Sequence, residues 1–293
     1  MNMRSQFIET TKDLIASDPR IVAMLGDIGV YSFRHTIEAH PDRIFDIGIL
    51  EQASISMAAG LAVSGMIPIF HTIAPFLVER AYEQLKLDFG YQHLGGNFVS
   101  VGASFDYSAL GSTHHCPADV NVLKQIPNMQ IVVPGTSREF DALYRSQYAN
   151  GEPTYFRLSE QSNLTDQPVV FGRATIVKRG SRAIVLAVGP MLHSVLEAAS
   201  DLDVTILYYT TLAPFDGQAL RDVYTGGPVV LCEPYYQGGL LFDVVSALEH
   251  KLQSVELIGV PHEFIHRYGT YEENEKTFGM DALGIRRKLE CIL

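Results

Sequence analysis

Two short segments of the sequence carry residues suited to acid–base chemistry, and the first is FDIGILEQASISMAAGL, residues 45–61. Glu51 follows the apolar run IGIL and precedes a stretch of small residues. Charged side chains are almost never fully buried without a partner. Glu51 is therefore either a first-turn glutamate favoured by the helix dipole or a carboxyl group required in a dry site. Because no Asp, Glu, Lys or Arg follows until Glu79, we expect both faces of the helix to be covered, which favours the dry site.

The second segment is LGSTHHCP, residues 110–117, with His114, His115 and Cys116 in succession. Adjacent side chains diverge, and no second His/Cys cluster has the spacing of metal ligands, so we predict no metal site in this chain. A glycine turn that presents one histidine as an acid, a base or a hydrogen-bonding group fits better. An ordinary loop histidine remains the alternative.

Other motifs point to no specific site. GDIG (26–29) follows a predicted strand, but it is neither a dinucleotide-binding fingerprint nor a P-loop, and no nucleophile elbow is present. QGGLLF (237–242) is a tight turn into a helix with a structural role or a binding role. His262 and His266 are four residues apart without a third ligand nearby, and we expect them in an interface or the core.

The elements that must position these residues are predicted strands and helices that alternate along the chain. Predicted helices separate five short apolar runs that read as strands, namely IVAML (21–25), IPIFH (67–71), FVSVG (98–102), QIVVP (130–134) and TYFRL (154–158). After the polar segment 159–173 the pattern restarts with RAIVLAVG. This alternation predicts an α/β protein with two domains, residues 1–165 and 166–293, each a mostly parallel sheet flanked by helices.

Composition narrows the functional class. The chain has 293 residues, 47% of them hydrophobic, and a formal net charge of −11. Nonspecific nucleic-acid or anionic-membrane binding needs a cationic surface, so we expect neither partner. No apolar stretch reaches the roughly 18–20 residues of a membrane span, and the N-terminus lacks the apolar core of a signal peptide. Three widely spaced cysteines fit a reducing compartment, and we expect a cytoplasmic protein.

An ordered set of motifs covers nearly the whole chain. IFDIGILEQ, MAAGLAVSGMIPI, FLVERAYEQL, GSTHHCPADVNVLKQIPNMQIVVPG and GEPTYFRLS together resemble the C-terminal half of the transketolase family, a thiamine-diphosphate-dependent group. The resemblance implies a pyrimidine-binding domain to about residue 165, followed by the family's C-terminal domain. In this family a separate domain binds the diphosphate through Mg²⁺ with a Gly-Asp-Gly motif, which this chain lacks. It therefore resembles the smaller subunit of a split transketolase. The resemblance implies an α₂β₂ assembly with an N-terminal-half partner chain, and this partner chain makes most of the contacts to Mg²⁺.

The resemblance assigns cofactor roles to four residues. Glu51 falls on the glutamate that faces N1′ of the aminopyrimidine and shares a proton with it, which makes it catalytic as well as cofactor-binding. Phe76 matches the aromatic residue that stacks on that ring, and a flat cofactor ring favours such a partner. Arg80, four residues on, is expected on the same helix face. Asp27 matches an acidic residue near the cofactor.

The resemblance also implies substrate contacts. His114, directly after Thr113, matches the histidine that contacts the reacting oxygens, and we prefer it to His115 as the catalytic group. Arg4 aligns with an arginine that grips sugar phosphate. Arg157 lies three residues before the position of a second phosphate-binding arginine, and we expect it to contact substrate as well.

Three positions depart from the family pattern. Leu110 replaces an aspartate that reads the donor hydroxyl, Gly102 replaces a second histidine, and Glu160 replaces the phosphate-binding arginine. A carboxylate repels a phosphate dianion. We therefore expect transfer of a two-carbon ketol unit from a ketose to an aldose, with sugars other than those of the ordinary pentose phosphate reactions. The alternatives are the β-subunit of a 2-oxoacid dehydrogenase and a non-catalytic partner subunit.

Overall fold

The computed structural model describes residues 1–293, which form two α/β units. The strands of the first unit are β1 (Ile21–Leu25), β2 (Ile44–Asp46), β3 (Ile67–Ile73), β4 (Gly96–Val101), β5 (Gln130–Val132) and β6 (Pro153–Arg157). Its helices are α1 (Met3–Ser17), α2 (Val30–Ala39), α3 (Glu51–Val63), α4 (Ala74–Val78), α5 (Tyr82–Gln84), α6 (Asp119–Leu123) and α7 (Ser137–Gln147), and a π-helical stretch over Leu85–Tyr91 continues α5.

The second unit follows a segment, residues 158–174, without helix or strand. Its strands are β7 (Thr175–Lys178), β8 (Ala183–Val188), β9 (Val204–Tyr209), β10 (Thr211–Ala213), β11 (Pro228–Tyr236) and β12 (Ser254–Val260). Its helices are α8 (Leu192–Ala198), α9 (Gly217–Val223), α10 (Leu241–Leu248), α11 (Tyr271–Thr277) and α12 (Ala282–Ile292).

Both sheets are mostly parallel, which confirms the predicted fold class. The first has the order β10-β5-β6-β4-β3-β1-β2 and the second the order β12-β11-β8-β9-β7, and only β10 and β7 run antiparallel to their neighbours. Strand β10 comes from the second half of the chain and closes the edge of the first sheet. The sequence pattern missed β2, β7 and β10 because they are short edge strands with little or no continuous apolar run.

The strand order explains where functional residues gather. Strands β2, β1, β3 and β4 are neighbours in the first sheet, and their carboxyl ends meet at one edge. Ligands of open parallel sheets bind at such an edge. Asp27 follows β1, Glu51 follows β2, Phe76 follows β3 and Gly102 follows β4. No helix in the chain combines the length and apolar composition that crossing a membrane requires.

Candidate active site

Glu51 is a desolvated carboxylate at the first position of α3. Its side chain is 3% exposed, and Arg80 Nη1 donates to its Oε2 at 2.8 Å. The amino end of α3 and the guanidinium both stabilise the negative charge. Oε1 accepts no hydrogen bond from the chain, so one oxygen of this buried group is free to meet an outside donor.

Arg80 joins Glu51 to Phe76. It lies just beyond α4, and its guanidinium carbon is 4.3 Å from the centroid of the Phe76 ring. A guanidinium over an aromatic face is attracted by the negative charge of that face. The contact with Glu51 and the contact with Phe76 together hold the guanidinium in one place.

His114, rather than His115, joins this group. The ring centroids of His114 and Phe76 are 5.3 Å apart with planes at 72°, an edge-to-face contact. Nδ1 of His114 lies 2.9 Å from Thr113 Oγ1, which leaves Nε2 for another partner. His115 is buried, and burial lowers its pKa.

Asp27 lies at the same sheet edge but outside this cluster. It is exposed, has a φ of +63°, and its backbone N–H donates to Asp46 Oδ1 at 3.3 Å. Its carboxylate makes no hydrogen bond or ion pair within the chain. The structure thus brings four predicted residues together, Glu51, Phe76, Arg80 and His114, and leaves Asp27 facing solvent nearby.

Arg4 lines a separate small cavity that contains two of the positions that depart from the motif pattern. The cavity has a volume of about 180 Å³ and is lined by Asn2, Arg4, Val101, Gly102, Tyr107, Ser159 and Glu160. Gly102 has a φ of +77°, and a Cβ there would lie 2.6 Å from Cε2 of Tyr107. The Tyr107 ring therefore takes the space that a side chain at position 102 would need. Leu110, the third departure, is exposed on the loop before His114.

Family comparisons match both units. The model described as "Transketolase, pyrimidine binding domain" matches residues 1–164, and the model described as "Transketolase, C-terminal domain" matches residues 172–285. The chain belongs to the transketolase family. The pyrimidine-binding domain of this family implies the use of thiamine diphosphate.

Three relatives span the chain. It is 39% identical to an uncharacterized 33.6 kDa protein in the fasciation locus of Rhodococcoides fascians, covering 100% of this chain and 95% of the relative. It is 29% identical to a subunit of the apulose-4-phosphate transketolase of Phocaeicola vulgatus, over 96% of this chain and 94% of the relative. It is 30% identical to 1-deoxy-D-xylulose-5-phosphate synthase of Thermus thermophilus, and the aligned region covers 98% of this chain but 48% of the relative.

One solved structure has nearly the same extent. A chain described as "Split gene transketolase, inactive beta4 tetramer" superposes with a TM-score of 0.88 at 25% identity, covering 100% of this chain and 98% of that one. This transketolase-family chain thus spans about half the length of the 1-deoxy-D-xylulose-5-phosphate synthase that it matches and nearly the whole length of the split-gene transketolase chain.

The prediction that Arg157 contacts substrate is wrong. Its side chain is 1% exposed, Nε donates to Asp119 Oδ2 at 2.7 Å, and Nη2 donates to Ser104 Oγ at 2.7 Å and to the carbonyl of Pro234 at 3.1 Å. The guanidinium is thus buried, and its Nε and Nη2 are committed to protein partners. Arg157 therefore neutralises a buried aspartate and ties the first sheet to the second domain.

His262 and His266 do not lie in the core, one of the two places predicted for them. Both are exposed on an irregular segment between β12 and α11, so their spacing of four does not put them on one helix face. The ring of His262 packs edge-to-face on Tyr236 at 5.0 Å. The prediction that both faces of the helix after Glu51 are covered is not met within this chain, because one side of α3 is exposed.

Asp106 is a buried acid that the sequence analysis missed. It accepts hydrogen bonds from Ser159 Oγ at 3.0 Å and from the backbone N–H of Glu160 at 2.9 Å. These bonds fix the turn that carries Glu160 into the Arg4 cavity. Burial raises the pKa of Asp106 to about 7. An aspartate directly after the apolar run VSVGASF is the same kind of signal that marked Glu51.

The Asp106 carboxyl should make stability depend on pH. Its pKa is about 7 in the folded chain against an ordinary value of 3.8, so between those values the folded state holds a proton that the unfolded state has lost. Stability contributed by this proton is complete below about pH 4 and is lost as the pH rises through about 7. One proton corresponds to a slope of about 1.4 kcal/mol per pH unit.

We therefore expect the free energy of unfolding of Asp106→Asn to decline less steeply with rising pH over this range than that of the parent. The difference in slope should correspond to about one proton. Urea unfolding at several pH values measures it. Asp42→Asn, an exposed acid before β2, is the matched control. An unchanged slope in Asp106→Asn would show that Asp106 is ionised throughout the range.

Proposed function

We propose that this chain is the pyrimidine-binding subunit of a transketolase-like enzyme that transfers a two-carbon ketol unit from a ketose to an aldose. The observation that carries the proposal is the cluster of Glu51, Arg80, Phe76 and His114 at the carboxyl edge of the first sheet. It combines a buried carboxylate with one free oxygen, an aromatic ring and a half-buried histidine. These are the groups that an aminopyrimidine and a reacting carbonyl compound need.

The residues present fit thiamine diphosphate. Oε1 of Glu51 would hold the proton shared with the ring nitrogen, Phe76 would stack on the ring, and Arg80 would keep both in place. Asp27 would lie at the rim of the cofactor site, and His114 would face the reacting substrate oxygens. When bound, thiamine diphosphate supplies the carbon centre that takes up and releases the ketol unit.

The rim of this cluster supports the need for a partner chain. Ile49 is 64% exposed and Leu50 is 58% exposed directly before Glu51, and Met57 and Val63 extend an apolar exposed face along α3. Exposed apolar surface of this kind marks an interaction site. We propose that a diphosphate- and Mg²⁺-binding subunit covers it in an α₂β₂ assembly. One relative of similar length is named as a subunit of a transketolase, which supports this arrangement.

Reconstitution tests the proposal. Purified chain should show no turnover of a ketose–aldose pair alone, and thiamine-dependent turnover when mixed with a chain that carries the Gly-Asp-Gly motif. Oxidation of a 2-oxoacid with a lipoyl acceptor would instead identify a 2-oxoacid dehydrogenase β-subunit. Assembly without any thiamine-dependent turnover would identify a non-catalytic partner.

The Arg4 cavity supports a sugar without a terminal phosphate. Arg4 and Glu160 line the same cavity, so an anionic group held by the guanidinium also meets a carboxylate. Like charges at short range disfavour binding of a dianion. We propose that the distal end of the substrate is uncharged and hydroxylated, and that the Tyr107 hydroxyl offers it a hydrogen bond.

Glu160→Arg should reverse this preference. The substitution replaces the carboxylate with a second guanidinium, which can form a charge-assisted hydrogen bond with phosphate. We expect the ratio of the KM of a phosphorylated aldose to that of its unphosphorylated form to fall by about tenfold. Steady-state kinetics with ribose 5-phosphate and ribose measure the ratio. Glu152→Arg makes the same charge change at the other end of β6 and should leave the ratio unchanged. A parent enzyme that already turns over phosphorylated sugars fast would contradict the assignment.

A further inference from the structure

The segment that carries His114 is enclosed by the C-terminal domain. We define the His114 loop as residues 105–117, between β4 and α6. Its first residue, Phe105, is fully buried in the hydrophobic cluster of the second sheet rather than in that of its own domain, and its ring centroid lies 4.5 Å from that of Tyr271. At the other end, the backbone N–H of Tyr236 donates to the carbonyl of Pro117 at 2.8 Å.

Contacts from the C-terminal domain also reach the middle of the loop. Asn274, fully buried on α11, donates through Nδ2 to Ser108 Oγ at 3.2 Å. Ser108 in turn donates to the carbonyl of Phe105 at 2.6 Å. Because both polar groups lie away from water, losing this bond would leave a buried hydroxyl less well satisfied.

Tyr268 rests on the glycine that turns the loop toward His114. Gly111 has a φ of +76°, and a Cβ there would lie 2.6 Å from Cε1 of Tyr268. Ser112 Oγ donates to the carbonyl of Ile265 at 3.2 Å. Tyr268 itself is 70% exposed, so its ring contributes little to the core and lies over the turn as an outer cover.

We propose that the C-terminal domain positions His114, with Asn274 and Tyr268 as positioning residues. The role of His114 in turnover rests on the function proposed above, whereas the restraint on the loop rests on these contacts alone. A loop held at both ends and in the middle keeps the imidazole at the Phe76 ring, and positioning of this kind contributes strongly to turnover.

Hydrogen exchange on the whole chain tests the restraint without any substrate. The backbone N–H of His114 donates to the carbonyl of Gly111 at 2.9 Å, and that of Cys116 donates to the carbonyl of Ser104, just before the loop, at 2.7 Å, so their exchange reports loop opening. Asn274→Ala and Tyr268→Ala should each speed this exchange about fivefold, since one net hydrogen bond or ring contact is lost. Phe264→Ala, an equally exposed aromatic residue of the same segment, is the control and should stay within about twofold of the parent.

The outcomes separate the two proposals. Exchange in α7, which has no hydrogen bond or ring contact with the loop, should stay unchanged in Tyr268→Ala, and a parallel rise there would show a general loss of stability and overturn the positioning role. Unchanged loop exchange in both variants would overturn it as well. In the reconstituted enzyme, both variants should lower kcat while leaving the apparent affinity for thiamine diphosphate unchanged. Faster exchange without any thiamine-dependent turnover would reject the proposed function and leave the restraint intact.

Discussion

Replacing Glu51 with Gln should lower turnover of the reconstituted enzyme by about 10³-fold or more, which is the range expected for a group that shares a proton with the reacting cofactor. Gln keeps the shape and the hydrogen-bonding capacity of the side chain, but it cannot accept and return a proton. The substitution also removes the negative charge that Arg80 meets at 2.8 Å. Steady-state kinetics at saturating thiamine diphosphate, with assembly checked by sedimentation, measure the effect.

The control for Glu51→Gln is Glu38→Gln on α2. Glu38 is exposed and pairs only with His35 on the same helix, so the same chemical change there should leave turnover unaltered. Glu51→Gln that assembles normally and turns over at the parent rate would remove the carboxylate from the mechanism. It would also support the interpretation of this chain as a non-catalytic subunit.

Local sequence patterns predicted the elements that are both apolar and regular. Strand β1 was predicted at its observed bounds, because IVAML is a continuous run whose five residues are all buried. Strand β2 was missed, since only Ile44 of its three residues is buried. Glu51 was identifiable because a charge in apolar surroundings conflicts with its context, and such conflicts are expected at functional sites.

The same reasoning from local context fails where the partners are distant in sequence. Asp106 has the apolar context that made Glu51 noticeable, but its partners Ser159 and Glu160 lie more than 50 positions away. The role of Arg80 depends on the end of α4, which turns its guanidinium back over Phe76. Local periodicity does not encode such long-range pairs, so it gave no indication that Arg157, which the resemblance assigned to substrate, is paired with Asp119.

Breaking the buried Arg157–Asp119 pair should strongly destabilise the chain. Arg157→Met leaves Asp119 buried with hydrogen bonds from the Tyr155 hydroxyl and the Val120 N–H but without a neutralising charge. Removing one partner of a buried ion pair costs about 3–5 kcal/mol. Urea unfolding of the chain measures the change, and Arg138→Met, which breaks an exposed pair with Asp166, should cost less than about 1 kcal/mol.

A second variant distinguishes this structural role from a role in substrate binding. Adding Asp119→Asn to Arg157→Met removes the uncompensated charge, so the double variant should recover most of the lost stability. If Arg157 instead served the substrate, the single variant would raise the KM of the sugar and unfold at the parent urea concentration. The pair lies where β6, α6 and the Pro234 carbonyl of the second domain meet, so we expect the loss of stability to extend to the contacts between the domains.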